Sequence, residues 1–224
     1  MPPPSLADFT AICTQNFGTG TTHITTSGLA QGGINAIDAT SGAGQAIALN
    51  GTTENAFSRM TDLAVKTTGG TTSLVNNGTL NGVVKLGDLG NQMTNSSLWL
   101  TADDISIFGA GANTLVNASG DTIVAAASPS QSETTGFIGL TNFVNRGTLS
   151  LRDGGIGDVA NFIGNANFQA GSVQAIDVNR AGQSDKVMVD GSASLNGATI
   201  AVGAALPPAY HGLAALPKRE TRRK

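Results

Sequence analysis

The 224-residue chain is poor in charge, in aromatic residues and in cysteine. Charged residues make up 12% and aromatic residues 4% of it, whereas about 25% of the residues of a globular domain are usually charged. A compact core built around Phe and Trp is therefore not expected. Cys13 is the single cysteine, so an intrachain disulfide is excluded.

The sequence also lacks the usual signals of export, membrane insertion and nucleic-acid binding. Its first 15 residues contain neither the basic nor the apolar stretch of a signal peptide, and no run of 18 apolar residues predicts a transmembrane helix. Residues 1–217 hold fourteen acidic and seven basic side chains, and residues 218–224 hold one acid and five bases. The body thus offers no basic face to a phosphate backbone, and we expect neither a nucleic-acid partner nor direct membrane insertion.

What the chain does contain is a succession of short strand patterns bounded by Gly, Asn and Asp, which turn the chain readily. Apolar residues stand two apart in six pairs, a spacing that places both members on one face of a strand. Trp99, between two leucines, is predicted to point outward. The pairs are Leu98/Leu100, Ile105/Ile107, Leu149/Leu151, Ile176/Val178, Val187/Val189 and Ile200/Val202.

One stretch, residues 54–66, leaves two interpretations open. Phe57, Met60 and Leu63 stand three apart, as on one face of a helix. A loop followed by a single strand fits the same residues equally well.

A degenerate unit, in which Val-Asn is followed by Gly, Thr and an aliphatic residue, recurs along the chain. It reads VNNGTL at 75–80, VNASGDTI at 116–123 and VNRGTL at 144–149. The recurrence predicts an all-β fold, a parallel β-helix of roughly eight to ten coils of about 20–25 residues. Aliphatic ladders would fill its interior, and Asn residues would bond from coil to coil. A Gly-rich antiparallel β-sandwich also uses short strands with frequent turns, and it stays as the alternative.

Six short elements follow one another in a specific order between residues 143 and 202. They are an Asn-x-Gly-Thr-aliphatic unit at 145–149, Gly-Asp at 157–158, Asp-Val at 177–178, Ser-Asp-basic-aliphatic at 184–187, Gly-x-Ala at 191–193 and a closing Gly-x-Thr strand at 197–200. In this order and spacing the chain resembles the C-terminal passenger segment of autotransporters, the type V secreted proteins of Gram-negative bacteria.

The resemblance implies a right-handed parallel β-helix that serves as a structural, adhesin-like stalk, displayed at the outer membrane or secreted. It implies no catalysis and no cofactor of its own. It also implies an outer-membrane β-barrel translocator as partner in the full-length parent, and a host surface or polysaccharide as ligand. The motif residues expected to carry the fold are Asn145, Gly147, Asp158, Asp185, Gly191 and Gly197.

We expect three parts along the chain: a poorly ordered segment at 1–20, the β-helix at 21–202 and a tail at 203–224. The tail changes composition abruptly to Ala, Leu, Pro and Arg, and we interpret it as aberrant or disordered. The missing leader and barrel depart from the family pattern, so a truncated gene product without function is an alternative.

Few residues suggest catalysis or metal binding. A Ser-His-Asp triad is not expected, because His23 and His211 are far apart and GSASL at 191–195 lacks the closing Gly of a nucleophile elbow. Paired carboxylates could cleave a polysaccharide, although turn closure by Asp side chains is the favoured interpretation. A carbohydrate-binding or polysaccharide-cleaving β-helix protein is therefore the alternative function. The candidate pairs are Asp103/Asp104, Asp153/Asp158 and Asp185/Asp190.

Overall fold

The computed structural model describes residues 9–57 and 59–205, and this part of the chain consists of strands and turns without a helix. Twenty-four strands form three parallel eight-stranded sheets, named A, B and C here. Three consecutive strands, one from each sheet, make one coil. The described part of the chain is therefore a β-solenoid of eight coils.

The strands are distributed evenly over the three sheets. Sheet A contains β1 (Ile12–Asn16), β4 (Ile37–Ser41), β7 (Leu63–Gly69), β10 (Val83–Lys85), β13 (Ile105–Ile107), β16 (Thr134–Ile138), β19 (Val159–Phe162) and β22 (Lys186–Val189). Sheet B contains β2 (Thr22–Thr26), β5 (Gln45–Leu49), β8 (Thr72–Asn76), β11 (Gln92–Asn95), β14 (Thr114–Asn117), β17 (Asn142–Asn145), β20 (Asn165–Phe168) and β23 (Ala193–Ser194). Sheet C contains β3 (Ala30–Gly32), β6 (Thr52–Asn55), β9 (Thr79–Asn81), β12 (Leu98–Leu100), β15 (Thr122–Val124), β18 (Thr148–Ser150), β21 (Val173–Val178) and β24 (Thr199–Ala204).

Each strand pairs in parallel with the strand three places later in the chain, so like residues stack from coil to coil. In β11 and β14, for example, Met93 lies opposite Leu115 and Asn95 opposite Asn117. The predicted parallel β-helix is confirmed, and its coil number is at the lower end of the expected range. The β-sandwich alternative is wrong, because a sandwich is built from antiparallel neighbours.

Trp99 points into the solenoid, contrary to the sequence-based prediction. Its side chain is completely buried, it stacks between Leu80 and Ile123 of the adjacent coils, and its indole N–H donates to the carbonyl oxygen of Gly82 at 2.8 Å. Leu98 and Leu100 are the half-buried outward residues of β12. Two-residue alternation identifies the two faces of a strand correctly, but it does not say which face is inside.

The interior changes from aliphatic to aromatic along the rod. Phe137 stacks on Phe162 with ring centroids 4.6 Å apart, and Phe162 stacks on Phe143 at 4.4 Å. Phe143 in turn meets the edge of Phe168 at 5.7 Å. The expectation that Phe and Trp do not form the core is therefore wrong for this half of the molecule, because the few aromatic residues are concentrated where they can stack.

The strand bounds can be compared with the segments predicted from the sequence. The helix alternative for residues 54–66 is wrong, because β6 ends at Asn55 and β7 begins at Leu63. Strand β1 lies inside the 1–20 segment that the sequence predicts to be poorly ordered. In the predicted 203–224 tail, β24 continues to Ala204, and residues 206–224 lie outside the described part.

The aromatic stack gives a prediction about stability. Replacing Phe162 by Ala removes the ring that both Phe137 and Phe143 contact, and we expect the free energy of unfolding to fall by about 3–5 kcal/mol. Phe17→Ala is the control, because Phe17 is 83% exposed and its loss should change stability by less than about 0.5 kcal/mol. Urea unfolding followed by circular dichroism measures both variants, and equal midpoints would contradict the assignment.

Candidate functional site

Buried polar side chains collect at the corners where the chain passes from one sheet to the next. At the B–C corner, four completely buried asparagines form a ladder along the rod axis. The side-chain amide of each donates to the side-chain oxygen of the next, over 2.7 Å, 2.9 Å and 2.8 Å. The ladder consists of Asn76, Asn95, Asn117 and Asn145. The predicted coil-to-coil bonding of Asn residues is thus present.

The residues of the recurring Asn-x-Gly-Thr-aliphatic unit form this B–C corner. Asn145 ends β17, residues 146 and 147 turn the chain, and Thr148 opens β18 with Leu149 buried inside. A side chain on Gly147 would collide with the carbonyl oxygens of Asp121 and Ala118, so the turn requires glycine. The unit therefore encodes one corner of one coil.

The ladder ends at Asn145 because the next coil offers no side-chain acceptor. The residue opposite Asn145 in the next coil is Phe168, which offers no acceptor. Within the described chain the side-chain nitrogen of Asn145 accordingly has no hydrogen-bond partner.

The two other predicted glycines also lie in turns. Gly197 has a φ of +71°, which L-residues with a side chain seldom adopt. Gly191 lies against the backbone of Gly164 and the side chain of Asn165. Neither is close to a cluster of reactive side chains among the described residues.

At the A–B corner, side-chain oxygens accept backbone N–H groups of the preceding coil. The N–H of Thr72 donates to Asn91 at 2.8 Å, the N–H of Asn91 donates to Asn113 at 2.7 Å, and the N–H of Asn113 donates to the hydroxyl of Thr141 at 3.2 Å. Sequence reasoning missed Asn91 as a corner residue, because no repeated unit surrounds it.

The C–A corner follows the same rule with carboxylates. Glu133, Asp158 and Asp185 immediately precede β16, β19 and β22, and all three are buried. The N–H of Glu133 donates to Oδ1 of Asp158 at 2.7 Å, and the N–H of Asp158 donates to Oδ1 of Asp185 at 3.2 Å. Asp158 and Asp185, predicted from the sequence to carry the fold, are thus brought together here.

One arginine lies beside this carboxylate ladder. Oδ2 of the buried Asp177 accepts the N–H groups of Asp153 and Gly154 at 3.1 Å and 2.8 Å, and its Oδ1 lies 3.5 Å from Nε of Arg152. The side chains of Arg152 and Asp177 lie so close to the backbone of Gly203 that any side chain at position 203 would collide with them. The backbone N–H of Asp177 donates to Oδ2 of Asp185 at 2.6 Å, which joins this pair to the ladder.

Burial makes the ladder carboxyls weak acids. The pKa of Asp158 is raised to about 7, mainly by burial and in addition by the nearby charges of Asp153, Asp185 and Glu133, whereas the hydrogen bond from the Glu133 backbone N–H lowers it. Burial also raises the pKa of Glu133 and the pKa of Asp185. For Asp185, hydrogen bonds from the backbone N–H groups of Asp177 and Asp158 offset part of the increase. Asp158 is distinguished by Oδ2, which has no hydrogen-bond partner within the described chain.

The candidate carboxylate pairs do not converge in an open groove. Asp153 lies near Asp158, but Asp158 is buried in the wall of the solenoid. Asp190 is exposed and Asp185 is buried, so they face different surroundings. Oδ1 of Asp104 accepts the N–H of Ile105 at 2.7 Å, a local bond of the kind expected from turn closure. Across residues 9–57 and 59–205, no group of three His, Cys, Asp or Glu side chains is arranged to hold a metal ion.

A surface trough of about 390 Å³ lies at the A–B corner of the first coils and is uncharged. It is lined by Thr, Ala, Gly, Gln and Ser residues, among them Gln45, Thr72 and Gln92. Such a lining offers hydrogen bonds but no general acid or base. The trough therefore adds no catalytic candidate.

The chain matches no known protein-family model, no curated protein and no solved structure. The part of the chain that the structure describes also contains no apolar helix of membrane-spanning length.

The asparagine ladder gives a second stability prediction. Asn117→Ala removes the acceptor of Asn95 and the donor to Asn145, and it leaves the carbonyl oxygen of Thr148 without its 3.0 Å side-chain partner. We expect a loss of about 1–3 kcal/mol of unfolding free energy. Asn142→Ala, at an exposed outward position of β17, should leave the urea midpoint unchanged, and an equal loss in both variants would contradict the role of the ladder.

Asp158 gives a pH prediction. Because its folded-state pKa of about 7 lies above the ordinary 3.8, the folded protein holds one more proton than the unfolded chain between about pH 4 and 7. Its contribution to the unfolding free energy is therefore fully present below pH 4 and declines as pH rises to 7, by at most about 1.4 kcal/mol per unit.

Urea unfolding of Asp158→Asn at pH 5 and pH 8 tests this expectation. The variant keeps the oxygen that accepts the Glu133 N–H but cannot ionise, so it should decline less with pH and be more stable than the wild type at pH 8. The remaining decline comes from Glu133 and Asp185, whose pKa values are also raised. Asp190→Asn, at an exposed position, should retain the wild-type decline. A wild-type stability that does not change between the two pH values would overturn the assignment.

Proposed function

We propose that this chain is a structural stalk, a segment of a surface-displayed or secreted autotransporter passenger that has no catalysis of its own. The observation that carries the proposal is the in-register stacking of three eight-stranded parallel sheets. With about 4.8 Å between paired strands, eight coils extend roughly 34 Å. A rod of this kind separates whatever lies at its two ends, which is the mechanical task of a stalk.

The distribution of polar side chains supports this proposal over an enzymatic one. The buried corner residues bond to the coil next to them, as Asn117 does to Asn145 and Asp158 does to Glu133. Trp99, which could have marked a sugar-binding face, is inside. Four of the six acids that could cleave a polysaccharide accept backbone N–H groups, namely Asp104, Asp153, Asp158 and Asp185. Arg152 is paired with Asp177.

The autotransporter part of the proposal rests on this architecture together with the order of the six sequence elements between residues 143 and 202. Two of these elements lie at the same place in successive coils, the C–A corner: the Gly-Asp turn ends at Asp158, and the Ser-Asp motif at 184–187 contains Asp185. In the proposed parent, an outer-membrane β-barrel is the partner that places the rod outside the cell, and a host surface or polysaccharide is its ligand.

A display experiment tests the proposal. Residues 1–224 are placed between a signal peptide with an epitope tag and an autotransporter β-barrel in a Gram-negative host. We expect antibody to bind the tag on intact cells, and external protease to leave a solenoid-sized fragment. The matched control carries Phe162→Ala, and the destabilised rod should show less tag and no resistant fragment.

Two outcomes count against the stalk. The first is retention of the wild-type chimera in the periplasm while the same barrel displays another passenger. The second is release of reducing ends from a polysaccharide by the purified chain, abolished by Asp158→Asn, which would favour the polysaccharide-cleaving alternative.

A further inference from the structure

One column of outward side chains on sheet A is apolar in its middle and charged at both ends. Lys85 of the fourth coil lies opposite Ile107 of the fifth, and Ile107 lies opposite Ile138 of the sixth. Ile163 and Asp190, the residues directly after β19 and β22, continue the column in the seventh and eighth coils by the same register. These five residues, in the order Lys-Ile-Ile-Ile-Asp along the rod, are called the sheet A column here.

The apolar middle of the sheet A column is open to solvent. Ile138 is 38% exposed, and Ile107 and Ile163 are half-buried. The neighbouring outward column of the same sheet adds Ile105 and Met188, which are 45% and 52% exposed. Because contiguous exposed apolar residues on a soluble protein mark an interaction site, this part of sheet A is a candidate interface.

The two charges at the ends of the column lack a partner within their own molecule. Lys85 and Asp190 are both exposed, and in the part of the chain that the structure describes neither takes part in an ion pair. They stand on opposite sides of Ile138, each two coils away, which is about 10 Å along the rod axis. The column is therefore symmetric in distance and opposite in charge about Ile138.

We propose that this face of sheet A binds the same face of a second copy of the chain, with the two rods antiparallel. A two-fold axis that passes through Ile138 and runs along the strands generates the contact. Each Ile138 then lies against its counterpart, and Ile107 lies against Ile163 of the second copy. At both ends of the contact, Lys85 of one molecule lies against Asp190 of the other.

The charges favour the antiparallel arrangement over the parallel one. In parallel rods with the same register, Lys85 would face Lys85 and Asp190 would face Asp190, and like charges that face each other across an interface are repulsive. The antiparallel contact is isologous, so it closes after two copies.

The size of the patch sets the strength of the contact. The sheet A column extends over five coils, about 20 Å, which is at the small end of specific protein interfaces. We therefore expect a weak dimer with a dissociation constant of roughly 10–100 μM.

Sedimentation velocity of the purified full chain over a concentration series tests the proposal, with a reductant present because Cys13 is exposed and free. We expect the weight-average mass to rise from 22.5 kDa and to level off at twice that value. Ile138→Lys places two lysines on the two-fold axis, and it should raise the dissociation constant at least about tenfold.

Leu29→Lys is the matched control for Ile138→Lys. Leu29 is 64% exposed but lies at the B–C corner, between β2 and β3. This variant should dimerise as the wild type does. Circular dichroism of both variants at low concentration checks that the monomer fold is unchanged, which separates a lost contact from a lost fold.

Charge reversal tests the antiparallel register. Lys85→Glu and Asp190→Lys each place like charges against each other at both ends of the contact, and each should raise the dissociation constant at least about fourfold at low salt. The double variant Lys85→Glu/Asp190→Lys reverses both charges, so it should dimerise as the wild type does. High salt should reduce the difference between the single variants and the wild type.

Three results would overturn the proposal: a wild type that is monomeric at all accessible concentrations, a mass that keeps rising beyond the dimer, or a dimer that Ile138→Lys does not weaken. A double charge variant that dimerises no better than the single ones would also overturn it, because the rods would then not be antiparallel in this register. The display experiment does not depend on any of these results, so the stalk proposal stands or fails separately.

Discussion

At the A–B and C–A corners of this solenoid, backbone N–H groups find their acceptors in side chains of the next coil, and this constraint governs the residues at those corners. The strand ladders provide acceptors along the sheets, but the chain changes direction between them. Asn113 accepts the N–H of Asn91, and Asp158 accepts that of Glu133. A corner side chain therefore serves its neighbour's backbone, and an unmet buried N–H costs about 1–3 kcal/mol. Chemistry with a substrate would compete with this task.

The choice between amide and carboxylate at a corner depends on which groups surround it. An asparagine offers one acceptor and donors, and Asn91 uses both, because its side-chain nitrogen donates to the carbonyl oxygens of Gly87 and Phe108 at 2.7 Å. A carboxylate suits a position where two N–H groups converge, as they do on Asp185. Asp158 receives one backbone donor through Oδ1, while Oδ2 has no partner in the described region. Its raised pKa follows from burial and from the nearby charges of Asp153, Asp185 and Glu133.

The sequence predicts the repeating parts of this structure and misses those that occur once. Asn145 and its relatives could be found because the turn after them repeats, and Asp158 because its surroundings resemble a family pattern. Asn91 could not be found, because the coil spacing varies between 19 residues from Thr79 to Leu98 and 29 from Ile105 to Thr134, which hides the alignment of corners. The outward direction predicted for Trp99 was wrong for another reason. The leucines on both sides of it are as apolar as core residues, and only the contacts with the neighbouring coils show that the larger ring lies inside.

The change from asparagine to phenylalanine in one inward column exchanges a polar ladder for aromatic packing. Phe168 replaces the ladder residue after Asn145 and meets the edge of Phe143, so aromatic packing takes over where the polar ladder stops. The stack ends in the seventh coil, and the inward residues that follow are smaller, namely Val187, Val189 and Ala193. The eighth coil thus has neither the asparagine ladder of the third to sixth coils nor the stacked rings of the sixth and seventh. Its packing against the seventh coil rests instead on parallel strand pairing and on small, partly buried side chains.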